Sequence, residues 1–96
     1  MTRDDFNRAA AEQFCVFSVH LKDRAFGQKD PRDRACTFHA AVENWMAAQD
    51  SKTQNGLLSC TIRDSNVTII GNVHTMALID AAFTKEIGYV SVRKYA

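Results

Sequence analysis

The sequence predicts a single α+β domain spanning residues 1–96, with elements in the order α-α-β-β-α-β. A helical hairpin would pack on one face of a three-stranded antiparallel sheet of spatial order 2-1-3. Three observations carry this prediction. Apolar residues recur at spacings of three and four through the first half of the chain, and after Gly56 they alternate. Asp30-Pro31 and Asn72 stand where helices start.

The first helix is expected from a Thr2 cap, with Asp5 three residues on and Phe6, Ala10, Phe14, Phe17, Leu21 and Ala25 as its stripe. Gly27 supplies its stop. Phe14 to Leu21 is also rich in β-formers and reads as a strand. No Gly, Pro or Asn separates it from the Ala-rich start, however, so one long helix is preferred. The second helix opens at Asp30-Pro31, a capping carboxylate followed by proline in the first turn. Ala35, Phe38, Val42, Trp45, Met46 and Gln49 trace its inner face, and the polar run 50–56 ends it.

Leu58, Cys60 and Ile62 then share one strand face, while Ser59, Thr61 and Arg63 share the other. Asp64-Ser65-Asn66 turns the chain into Val67-Thr68-Ile69-Ile70. Asn72 caps a third helix bearing Met76, Ile79, Ala82 or Phe83, and Ile87, which Gly88 stops. Tyr89 to Arg93 alternates as the last strand. Val90 and Val92 are expected in the core beside Leu58, Cys60, Ile62, Val67 and Ile69.

Composition narrows the function. An apolar content of 46% is that of a folded domain rather than a disordered chain. No run approaches the roughly 20 apolar residues of a membrane span, and the polar start is no secretory signal, so a cytoplasmic location is expected. Twelve basic residues against eleven acidic ones leave a formal charge of +1, a weak argument against a dedicated nucleic-acid binder. The three cysteines form no C-x-x-C pair and read as reduced thiols.

Catalytic parts are hard to find. The four glycines are scattered, so no phosphate-binding loop exists, and the acidic residues near helix starts are explained by the dipole. Cys36 and His39 share one side of a helix. With Cys60 and His74 they could hold zinc, but a fourteen-residue separation is not the tight pairing of structural zinc sites. Cys36, near Arg32 and Arg34, is the best candidate thiol nucleophile, with no oxyanion loop to serve it. No catalytic residue, metal ligand or cofactor is therefore assigned, and the chain is read as a non-enzyme.

Two surfaces remain. The back of the first helix would carry Cys15, Val19 and Phe26, making it apolar on both sides and suited to a partner or a second copy. The outer sheet face would carry Arg63, Tyr89, Arg93 and Tyr95, residue types that anchor protein interfaces. These features point to a protein-binding module that occupies a partner's surface, as a small phage-type inhibitor of a host defence nuclease complex would, with a homodimer as one arrangement. The alternative is a nucleic-acid-binding module using Arg63, Tyr89, Arg93 and Lys94, in which tyrosines stack on bases and cations pair with phosphates. A small zinc or thiol-based domain is the third reading.

Overall fold

The computed structural model describes residues 13–95. Its strands are β1 (Phe14–Leu21), β2 (Leu57–Arg63), β3 (Asn66–Asn72) and β4 (Ile87–Lys94). Its helices are α1 (Pro31–Ala47), the short α2 (Ser51–Asn55) and α3 (Val73–Ala82), with a 3-10 turn at Ala25–Gly27. The fold class is α+β, with one four-stranded antiparallel sheet of order β2-β3-β1-β4. Setting α2 aside, the order is β-α-β-β-α-β, the split βαβ arrangement of ferredoxin-like domains. Among the described residues no helix is long and apolar enough to cross a membrane.

The largest departure from expectation is β1. Phe14–Leu21 is a strand, so the described residues form no helical hairpin; Thr2, Phe6 and Ala10 of the expected first helix lie outside the described residues. The segment carries two phenylalanines and two valines in eight residues, and it is paired along both edges by β3 and β4. That pairing satisfies its backbone and buries its odd-numbered side chains, which decides the case against helical spacing. Cys15, Phe17, Val19 and Leu21 face the helices, while Phe14, Val16, Ser18 and His20 face the other way.

Insertion of β1 also rearranges the sheet. The β2–β3 hairpin forms as expected, its turn made by Asp64 in the left-handed region at φ 58°. However, β3 is the inner member, and β1 separates it from β4, so the order is not 2-1-3.

The helix starts follow the sequence. An Asp30 carboxylate oxygen accepts from the amides of Arg32 and Asp33 at 2.9 and 3.1 Å, and Pro31 occupies the first turn. Asn72 Oδ1 accepts from the Thr75 amide at 2.8 Å. The polar run after α1 does more than stop it: Asp50 caps α2 through the Thr53 amide at 2.9 Å. The side chain and amide of Thr53 hold the Asp50 carboxyl below its ordinary range.

Three finer differences have local causes. An irregularity between Leu57 and Ser59 turns Leu57 inward and leaves Leu58 exposed, in place of the expected Leu58-Cys60-Ile62 face. The third helix ends at Ala82, because the Glu86 and Ile87 amides both turn back to the Phe83 carbonyl; Ile87 then begins β4 opposite Leu21. Val90 packs against the core, but Val92 is 62% exposed, since α1 and α3 cover the middle of the sheet and leave the end of β4 open.

The core between sheet and helices holds Phe17, Val19, Phe38, Val42, Val67, Ile69 and Ile79. Phe38 is its fully buried centre, with Phe83 edge-on at 5.4 Å and Phe26 tilted at 6.4 Å between ring centroids.

Candidate functional site: the open sheet face

Among the described residues all three helices lie on one side of the sheet, and none of them covers its other face. Strand register then determines what that face presents. Ser18 sits opposite Thr68 on one side and Ser91 on the other, and Thr68 is opposite Thr61. One row of the face is therefore hydroxyls across all four strands. In the neighbouring row Val16 lies between Ile70 and Arg93, and Ile70 faces Ser59.

Arg63 and Arg93, from the two edge strands, both reach a cleft of about 240 Å³ over these rows, floored by Val16, Ser18, Thr68 and Ser91. The four strands contain no Asp or Glu. Among the described residues the only close contact between a basic side chain and a carboxylate, His39 Nε2 to Glu43 at 3.6 Å, is on α1 at the opposite side of the sheet. A two-arginine cleft without carboxylates carries a positive potential and offers forked N–H donors to phosphate or carboxylate oxygens.

Beside the cleft, His20 on β1 is directly opposite Tyr89 on β4. Their rings are stacked, with centroids 4.2 Å apart and planes 12° from parallel. Tyr89 is 63% exposed, so a flat aromatic surface is available next to the cationic one. The bulge between His20 and Leu21 and the close approach of Gly88 to the His20 carbonyl fix this end of β4.

The structure brings Arg63, Tyr89 and Arg93 onto this face, and Tyr95 follows β4 at 53% exposure. Lys94 is opposite Cys15, a residue of the helix-facing set, and so is not on the same face as the other three. The other expected surface, the back of a first helix carrying Cys15, Val19 and Phe26, is not formed. Val19 is completely buried, Cys15 packs half-buried against the core, and Phe26 lies against Phe38 with its amide donating to Glu86 Oε2 at 2.6 Å. A helical period would put these residues on the back of a helix, whereas the strand period puts Cys15 and Val19 on the inner face. Val16, Ser18 and His20 are the site residues that the sequence reading missed; alternation along Phe14–Leu21 is the signal that marks them.

The cysteines and histidines are dispersed. His39 Nε2 lies 2.7 Å from the Cys60 carbonyl oxygen, and Cys36 is exposed on α1. Burial, then the Glu43 charge, pushes the Cys60 thiol up to about 11, so it stays protonated at neutral pH. Among the described residues no three His, Cys, Asp or Glu side chains gather as metal ligands. No family model matches the chain, and comparison with curated proteins and with solved structures finds no match for it either.

Proposed function

We propose that the protein is a non-enzymatic binding module whose working surface is the open sheet face, and that single-stranded nucleic acid is the ligand this face fits best. One observation carries the reading: Arg63 and Arg93 share a cleft over a hydroxyl row, on strands without a carboxylate, beside the exposed Tyr89–His20 stack. Phosphates pair with the guanidiniums, the hydroxyls donate to backbone oxygens, and a splayed base lies on Tyr89. The near-neutral total charge does not oppose this, because no Asp or Glu lies within a strand; the nearest acid to the cleft in sequence is Asp64, which follows Arg63 in the β2–β3 turn.

The test is fluorescence anisotropy of the full chain with labelled single-stranded oligonucleotides at low salt. Binding is expected, and it should weaken on Arg63→Ala and on Arg93→Ala. Absence of binding to both RNA and DNA strands at low salt removes the reading.

A protein ligand for the same face is the second reading, favoured by Tyr89, Arg93 and Tyr95 lying together at an exposed sheet edge. An inhibitor of the phage type, which covers the surface of a host defence nuclease complex, belongs to this reading. A stoichiometric protein captured from native host lysate that persists after nuclease treatment, and is lost on Tyr89→Ala with Arg93→Ala, would favour it over the first.

A further inference from the structure

The two edges of the sheet are β2 and β4. Exposed edges are templates for further pairing unless irregularity, proline or inward charge blunts them. β2 is blunted by the irregularity between Leu57 and Ser59. From Tyr89 to Lys94, β4 pairs with β1 without interruption and contains no proline. Its helix-side surface opens onto an apolar groove of about 260 Å³ beside α3, where Val73 is 57% and Val92 62% exposed.

We propose that β4 is a dimerisation edge, and that its occupant is the β4 of a second copy, running antiparallel and centred on Ser91. The argument is self-complementarity. Residues directly opposite in an antiparallel pair share a face, so only registers that match faces are allowed. Centring on Ser91 puts Val90 opposite Val92 on the groove side and Tyr89 opposite Arg93 on the open side. Apolar meets apolar, and a guanidinium meets an aromatic ring, twice each. The neighbouring registers fail: centring on Val92 sets Val90 against Lys94, centring on Arg93 sets the two guanidiniums face to face, and centring on Val90 leaves Val92 against Gly88. The chosen register places both open faces on one side of a continuous sheet of eight strands. The proposal stands independently of the ligand that face takes.

Sedimentation velocity of the nucleic-acid-free full chain tests it. A concentration-dependent dimer is expected. Tyr89→Lys sets a like charge against Arg93 at both ends of the ladder and should weaken the dimer by about tenfold. Adding Arg93→Glu to Tyr89→Lys converts both repulsions to attractions and should restore it. Val92→Lys, at an exposed position, should also dissociate the dimer while circular dichroism reports an unchanged fold. A chain that remains monomeric at every concentration overturns the proposal. So does a dimer indifferent to Tyr89→Lys and Val92→Lys. A dimer that Tyr89→Lys weakens but Arg93→Glu fails to restore overturns the Ser91-centred register.

Discussion

The Cα of Gly71 in β3 lies against the backbone carbonyl of Gly56, so that a Cβ at position 71 would stand 2.6 Å from that oxygen. The same carbonyl accepts the Asn72 amide at 2.8 Å. Around it, Thr75 Oγ1 donates to the Thr53 carbonyl at 2.9 Å, which ties α2 to α3. Backbone crowds backbone here, and neither side has a flexible end to yield.

Gly71→Ala should therefore destabilise the protein by about 1–3 kcal/mol, through displacement of α2 and the start of α3. Gly27→Ala offers a contrast, since space is open there but φ is +70°, and it should cost about 1 kcal/mol. Urea unfolding of the two variants separates packing strain from backbone strain.

Val19→Glu should prevent cooperative folding. Val19 is fully buried between β1 and the helices, and an unpaired carboxylate there costs about 4 kcal/mol or more. Thermal unfolding followed by circular dichroism would show the lost transition; a folded variant with one altered surface would contradict the buried position.

The alkaline limb of stability should depend on Cys60. Its folded-state value is about 11 against an ordinary 9.0, so the folded protein holds a proton that the unfolded chain releases. Stability should decline as pH rises from 9.0 towards 11, and Cys60→Ala should flatten that decline. At neutral pH, alkylation should reach the exposed Cys36 before Cys60, as read by mass spectrometry of the modified peptides.

Binding to a single strand should have a shallow salt dependence. Two phosphate contacts give a slope of log K against log salt of about −1.4, falling to about −0.7 in Arg93→Ala. Tyr89→Ala should cost about 1–3 kcal/mol with the slope unchanged, because stacking is not ionic. Anisotropy titrations at several salt concentrations give both numbers.

Much of this architecture was legible in the residues. Asp30-Pro31 and Asn72 marked helix starts because capping is local chemistry, and the faces of β2 from Ser59 onward and of β3 followed from alternation, while Leu58 was displaced by the irregularity beside it. Phe14–Leu21 was misread because Phe14, Phe17 and Leu21 satisfy a helical spacing while Cys15, Phe17, Val19 and Leu21 satisfy a strand spacing. What separates the two is pairing with β3 and β4, and those partners lie about 50 and 70 residues away, beyond any local pattern. The site suffered in proportion: Arg63, Tyr89 and Arg93 were found from strands read correctly, whereas Ser18 and His20 were hidden by the misread one.

The position of β1 between β3 and β4 also sets an order of events during synthesis. β1 leaves the ribosome before both of its neighbours, which are encoded later, one of them ending at Lys94. Until that residue emerges, Phe17 and Val19 belong to a strand with an unmatched edge. Closure of the sheet across so long a stretch of chain makes folding slower than that of a helical bundle of equal size. Nascent chains cut short before β4 should consequently be the aggregating species, and a chaperone that shields Phe14–Leu21 would act within that interval.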